Sequence, residues 1–227
     1  MSPVLAEMLA SREVPTPDGR VLPLHTNIPE LECRVIAGWV RERSPRRLLE
    51  VGLAYGISTL AVLGALEEGG SLDSVAYTSI DPFQSSQWDG AGMHALERAG
   101  YGHAVTLHEE RSETCLPRLL TEGLRLDFAL VDGWHTFDHA LVDFYYINRM
   151  LEVGGIVVFD DVHLPALLKL VRHIENYPAY RRMPPPADLA NVREARVRRM
   201  AIIQPFRVSA LDMVAEDERA WDWHADF

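Results

Sequence analysis

Residues 48–59 read Leu48-Leu49-Glu50-Val51-Gly52-Leu53-Ala54-Tyr55-Gly56-Ile57-Ser58-Thr59. An apolar run meets an acid, then two glycines, then residues that can open a helix. A strand covered on both faces reads as a continuous apolar run. Gly52 and Gly56 carry no Cβ, so the chain can turn sharply and pass close to a ligand. A helix opening at Ile57-Ser58-Thr59 would offer unpaired N–H groups and the positive end of its dipole to that turn. The unit is strand–turn–helix with a ligand position at its bend. Its spacing is E-x-G-x-x-x-G-x-S, not the G-x-G-x-x-G that grips a pyrophosphate. A looser turn preceded by an acid suits a ligand with an ammonium and a sugar better than one with two phosphates. The plainer reading, glycines serving packing alone, stays open on this stretch by itself.

Outward from it, strands and helices alternate. Strands are expected at 47–51, 75–80, 104–107, 126–131 and 156–159, and helices at 58–66, 92–99, 113–120, 137–151 and 165–176. Repeated β-α units give an α/β, doubly wound, mostly parallel sheet with helices on both faces. Ahead of this core lie a short helix over 2–12, a turn or small hairpin over 14–23, and a helix over 29–43 opened by Pro29. After 176 come a short strand at 180–183, a loop opened by Pro184-Pro185-Pro186, and a late strand at 198–204. The expected partition is an N-terminal helix and lid segment (1–28), the main domain (29–206) and an acidic, aromatic tail (207–227). That tail could be disordered, cap the domain or pack on a partner.

The chain has 227 residues, 48% of them hydrophobic, which suffices for the core of one α/β domain. Its net charge of −11, from 33 acids against 22 bases, argues against nonspecific nucleic-acid binding. Arg193, Arg196, Arg198 and Arg199 cluster, and a solvated edge explains them best. Cys33 and Cys115 form no C-x-x-C, so neither a disulfide framework nor a zinc ribbon is indicated. Both read as buried thiols in a reducing compartment. No signal-peptide core or membrane-length apolar run is present, so a cytoplasmic location without membrane attachment is expected.

Ligands of a doubly wound sheet sit beyond the carboxyl ends of its strands. Glu50 ends the first strand and Asp81 the second, where an acid can accept both ribose hydroxyls of a nucleoside; capping the loop before Pro82 is the alternative. Ser112, opening the helix after the third strand, could lie near a base or simply cap the helix with Glu113 following. Asp132 ends the fourth strand, and Asp160-Asp161 end the fifth. Three converging carboxylates would repel and raise one another's pKa. A divalent cation would resolve that conflict, and oxygen ligands suit Mg²⁺, Ca²⁺ or Mn²⁺. The alternative has Asp161 capping a helix and Asp160 bonding a backbone N–H. His135 is the candidate general base, since a neutral imidazole can take a hydroxyl proton near neutral pH; it could instead bond the nearby acids. His139 and His163 are further candidates. His25 and Asn27 could close over the site, and Trp88 and Trp134 could line it.

The 48–59 stretch resembles motif I of the class I S-adenosylmethionine-dependent methyltransferases. Asp132 with Asp160-Asp161 resembles, in order and spacing, the magnesium ligands of catechol O-methyltransferase-like enzymes. That family ends its strands with Asp-His-Trp and Asp-Asn; this chain has Asp132-Gly133-Trp134 and Asp160-Asp161. His135 stands where the family's catalytic lysine follows the Trp. The Asp-Gly-x-His form is more similar to a broader bacterial O-methyltransferase group. The similarity covers about 29–174. It implies a seven-stranded Rossmann-like sheet with an antiparallel last strand. It also implies S-adenosylmethionine held by Glu50, Gly52, Tyr55, Gly56, Ser58, Asp81, Ser112 and Asp132. Asp132, Asp160 and Asp161 would hold Mg²⁺ or another divalent cation, and Asp132 and His135 would act in catalysis on a small-molecule hydroxyl. A homodimer, through the terminal helix or the tail, is an open partner. Rival readings are a nicotinamide-dependent oxidoreductase, a non-catalytic binding module on the same fold, and a metal-independent N-methyltransferase.

Overall fold

The computed structural model describes residues 1–25, 27–189 and 208–225. Helix α1 (Pro3–Ser11) leads into an antiparallel hairpin of β1 (Glu13–Pro15) and β2 (Val21–Pro23), then α2 (Glu30–Arg43). The alternating core follows as β3 (Arg47–Val51), α3 (Ile57–Glu68), β4 (Ala76–Ile80), α4 (Ala91–Arg98), β5 (Val105–His108), α5 (Ser112–Thr121), β6 (Leu126–Val131), α6 (Phe137–Met150), β7 (Leu151–Phe159) and α7 (Pro165–Ile174). Strands β8 (Tyr180–Arg182) and β9 (Ser209–Met213) follow among the described residues.

The main sheet has seven strands in the order β5-β4-β3-β6-β7-β9-β8. The first five are parallel, and β9 runs antiparallel to both β7 and β8. From β3 the chain winds outward one way through β4 and β5, then crosses back to β6 and β7. The crevice between β3 and β6 is therefore the switch point where this class of sheet binds ligands.

Alternation along the central strands builds two cores. Leu48, Phe128, Leu130, Ile156 and Val158 face the layer of α1 to α4. Leu49, Ala129, Val131, Val157 and Phe159 face the layer of α5 to α7. Each such Leu, Val or Phe removed from water contributes about 1.5–3 kcal/mol. Helix α3 is buried over its whole length from Ile57 to Leu66, as its near-continuous apolar sequence requires.

Two expectations change. The strand that closes the sheet is Ser209–Met213, inside the segment read as a tail; the 198–204 strand and the arginine cluster lie outside the described residues. Strand β7 begins at Leu151, directly after α6, because Gly154 (φ 91°) lets the chain turn within what looked like a loop. The described part of the Pro-rich loop packs on α2, where Trp39 Nε1 donates to the Pro184 carbonyl at 2.8 Å. The end of the chain covers α6 and α7: Arg219 stacks 3.3 Å over the Tyr177 ring and pairs with Asp217 at 2.6 Å. No helix among the described residues is long and apolar enough to cross a membrane.

Candidate active site

The turn after β3 is held from both sides. Gly52 has φ 97°, and a Cβ there would lie 2.1 Å from the Asp132 carbonyl oxygen, so only glycine lets β3 and β6 end this close together. Gly56 (φ 76°) is the N-cap of α3. Beneath the turn, Ser58 and Thr59 donate their hydroxyls to Glu50, which is fully buried. Glu50 lines none of the switch-point cavities; it ties the strand to the helix. Burial pushes its carboxyl up to about 7, against the hydrogen bonds that favour the ionised form.

That buried carboxyl has a consequence for stability. Its ordinary value is 4.5 and its folded value about 7, so the native state holds a proton that the unfolded chain has released. The contribution is fully present below 4.5 and is lost as pH rises through about 7. A shift of this size corresponds to on the order of 3 kcal/mol. Glu50→Gln, which cannot ionise, is expected to flatten the decline in stability between pH 5 and 8; urea denaturation across that range checks it. A decline as steep as in the wild type would remove Glu50 as its source.

A cleft opens over the turn, lined by Gly52, Ala54, Asp81, Trp88, Arg111, Ser112, Asp132, Gly133, Trp134 and His135 among others. Asp81, at the end of β4, is 3% exposed. Its Oδ2 accepts the Ala54 N–H at 2.7 Å and Gln84 Nε2 at 3.1 Å, and its Oδ1 accepts the Phe83 N–H at 2.8 Å. A carboxylate offers about four acceptor positions. One remains for a ligand hydroxyl, and a second opens if Gln84 swings away. Asp81 therefore caps the loop while lining the cleft.

Ser112 is the first residue of α5; the N-cap is Arg111, with no side-chain capping bond. The alternative in which Ser112 caps the helix is thus corrected; Ser112 lines the cleft between Arg111 and Glu113. Tyr55 and Ser58 line a small adjoining cavity with Asn27 and Asp132. The Tyr55 hydroxyl lies 3.1 Å from His25 Nε2, and its ring meets Trp88 edge-on at 5.0 Å. These contacts seat the segment before α2 against the turn.

A third cavity holds the acids. Asp132, Asp160 and Asp161 line it together with His135, Arg12, Asn27 and Pro29. His135 Nε2 lies 3.6 Å from Asp132 Oδ1 and 3.3 Å from Asp161 Oδ2. His163 Nδ1 lies 3.4 Å from the other oxygen of Asp161. Asp161 adopts φ 50°, and Leu164, not Asp161, is the N-cap of α7. His139 turns away from the acids: its Nδ1 is 2.7 Å from Thr136 Oγ1, and its ring stacks on Trp134. Two residues here had no sequence signal, Arg12 and Arg111. Arg12 Nη1 donates to Asn27 Oδ1 at 3.0 Å and Nη2 to the Leu24 carbonyl at 2.9 Å, bonds internal to the segment ahead of α2.

Among the described residues, one group of possible ligand atoms lies mutually within 4.8 Å: His108, Glu110 and Cys115. The Arg118 guanidinium already sits among them, bonded to Glu110 and 3.5 Å from both His108 Nδ1 and Cys115 Sγ. Burial pushes the Cys115 thiol up to about 12, which disfavours the thiolate a metal needs. An ion-pair cluster accounts for this group. The Cys33 thiol is likewise pushed up to about 12 by burial.

The profile of a methyltransferase domain matches residues 49–162, half of the chain and the part that carries the turn, Asp81, Asp132 and Asp160-Asp161. Flavonoid 3',5'-methyltransferase of Vitis vinifera is 25% identical over 138 residues, which are 60% of this chain and 55% of that protein. Tricin synthase 1 of Oryza sativa subsp. japonica is 30% identical over 138 residues, 57% of this chain and 50% of that protein. The chain thus spans about half the length of the curated relatives it matches. The O-methyltransferase TomG of Streptomyces achromogenes, solved with S-adenosylmethionine, superposes with a TM-score of 0.67 at 17% identity, covering 94% of this chain and 90% of that one. At that identity the likeness is one of fold.

Proposed function

The chain belongs to the methyltransferase-domain family, and from that premise we propose that it moves the methyl of S-adenosylmethionine to a hydroxyl oxygen of a small molecule. One observation carries the reading. The turn at Gly52, the strand-end acid Asp81 and the acid cavity around Asp132 open side by side at the β3/β6 switch point. Asp81 would accept the ribose hydroxyls, Ser112 would face the base, and the Tyr55–Ser58 cavity would take the amino-acid end. Trp88 and Trp134 would wall the cleft around the sugar and base.

The acid cavity offers the oxygen donors a hard divalent cation takes, with His135 Nε2 within 3.6 Å of Asp132 and Asp161, but the ligand atoms do not lie mutually within 4.8 Å, so the acids would have to draw together around an ion. Asp132, Asp160 and Asp161 would hold the ion. A bound Mg²⁺ would act as a Lewis acid on the acceptor hydroxyl and lower its pKa. His135, seated between Asp132 and Asp161, would take the hydroxyl proton, and both acids would stabilise the imidazolium that forms. Arg12 and Asn27 would close the mouth and limit water. The chain's remaining contribution is alignment of an oxygen with an already activated methyl group.

Labelled S-adenosylmethionine, a panel of catechols, sugars and hydroxylated aromatics, and parallel reactions in Mg²⁺ or chelator test this proposal. Transfer to oxygen that stops with chelator is expected. Transfer that survives the chelator, or that lands on nitrogen, would overturn the metal-assisted O-methylation. The oxidoreductase reading has no G-x-G-x-x-G after β3 to support it, and reduced nicotinamide serves as its control ligand.

A further inference from the structure

The acid cavity is lined from two parts of the chain. Asp132, His135, Asp160 and Asp161 come from the loops after β6 and β7, and Arg12, Asn27 and Pro29 come from the segment between α1 and α2. Its volume is about 530 Å³, the size of a small-molecule site. Arg12 is the one permanent cation lining it among the described residues. A guanidinium beside three carboxylates should pair with one of them. Arg12 does not. Among the described residues it takes part in no ion pair, and its side chain bonds neutral oxygens, Asn27 Oδ1 and the Leu24 carbonyl. Arg20, exposed on the nearby hairpin, behaves otherwise: it pairs with Asp18 at 2.7 Å and Asp89 at 3.1 Å. A guanidinium carries five N–H donors. The two neutral bonds orient Arg12 and leave its remaining donors and its whole charge for a ligand.

The backbone adds a second observation. Arg12 ends α1 at φ 61°. That left-handed position most often goes to glycine, which has no Cβ to strain. Glycine would end the helix more cheaply, so what Arg12 adds is its side chain. Asp161, in the same cavity, adopts φ 50°. Residues held in rare backbone conformations cluster where ligands are clamped.

We propose that Arg12 is a specificity-determining residue that binds a carboxylate of the acceptor, so that the molecule methylated is a hydroxy acid. Its hydroxyl lies toward His135 and Asp132, and its carboxylate pairs with the Arg12 guanidinium. The inference rests on the methyl-transfer reading above and names the substrate class of that site. The planar fork of a guanidinium matches the two oxygens of a carboxylate. A singly charged carboxylate suits the place better than a phosphate dianion, because three aspartates line the same cavity and repulsion grows with the charge of the ligand. Without such a cation, those aspartates and the chain's net charge of −11 would turn an acid away.

The test is steady-state methyl transfer by the whole protein, in S-adenosylmethionine and Mg²⁺, to a panel of hydroxybenzoates, dihydroxybenzoates and sugar acids, each paired with its primary amide. For the best acceptor the acid is expected to exceed its amide by about tenfold in kcat/KM. The gain should lie mostly in KM, because the carboxylate pairs equally in the ground and transition states. In Arg12→Gln, uncharged but still able to donate, the ratio is expected to fall to about twofold or less. Arg12→Lys, which keeps the charge without the fork, is expected to give an intermediate ratio. A role confined to tying Asn27 to Leu24 would lower acid and amide alike and leave the ratio intact. In the wild type the acid's KM is expected to rise about threefold from about 0.05 M to about 0.5 M salt while the amide's holds, since salt screens an exposed pair. That measurement covers the case of an unstable variant. Amides that match their acids in the wild type, a ratio unchanged in Arg12→Gln, or an acid KM indifferent to salt overturns this proposal alone. Absence of transfer to every acid and every amide overturns the methyl-transfer reading together with it.

Discussion

Asp132→Ala is expected to lower methyl transfer by at least about a thousandfold, because electrostatic stabilisation at the reacting oxygen is the largest single contribution such a site makes. Asp132 lines both the acid cavity and the cleft over the Gly52 turn, and its Oδ1 lies 3.6 Å from His135 Nε2. Its backbone makes the structural contacts: its N–H donates to the Val51 carbonyl at 2.9 Å, and its own carbonyl presses against Gly52. Alanine keeps both, so the fold and most of the cofactor affinity should survive. The affinity for S-adenosylhomocysteine should therefore change by less than about fivefold, roughly 1 kcal/mol. Turnover and titration of the same preparation check the split. Normal turnover would remove Asp132 from the chemistry, and a collapse of binding would show that its carboxylate serves the cofactor instead.

The second large effect is expected at Asp81. Its carboxylate accepts hydrogen bonds from Ala54, Phe83 and Gln84 and still faces the cleft. Ala54 sits at φ 46°, a conformation unusual for a residue with a Cβ, and the bond to Asp81 helps hold it there. Asp81→Ala thus removes a ribose acceptor and loosens the turn the ligand lies against. Hydrogen bonds to a charged group contribute about 1.5–3 kcal/mol each, so affinity for S-adenosylhomocysteine should fall by about a hundredfold or more. Titration of the variant reads it directly. A loss smaller than about threefold would confine Asp81 to loop-capping, since about 0.6 kcal/mol is less than one such bond.

The parts of the fold legible in the sequence were those fixed by local physics. Continuous apolar runs located the five parallel strands because strands buried on both faces admit little else. The glycine turn and the acids at the strand ends followed, since the sheet itself gathers strand ends at one edge. Tertiary context decided the rest. The antiparallel partner of β7 is Ser209–Met213, within the segment read as a tail, while the expected 198–204 strand lies outside the described residues. Arg12 reaches the acid cavity only because α1 and its hairpin fold back over the mouth, which no spacing in the sequence encodes. Glu50 was read toward the ligand, yet Ser58 and Thr59, eight and nine residues on, claim its carboxyl.

Calorimetric titration of the wild-type protein with S-adenosylhomocysteine, in Mg²⁺ and again in chelator, tests the central claim most directly. Saturable one-site binding in both conditions is predicted, because Gly52, Asp81 and Ser112 line the cleft while Asp160 and Asp161 line a separate cavity. No binding in either condition would contradict the assignments of the Gly52 turn and Asp81 together, and with them the methyltransferase account.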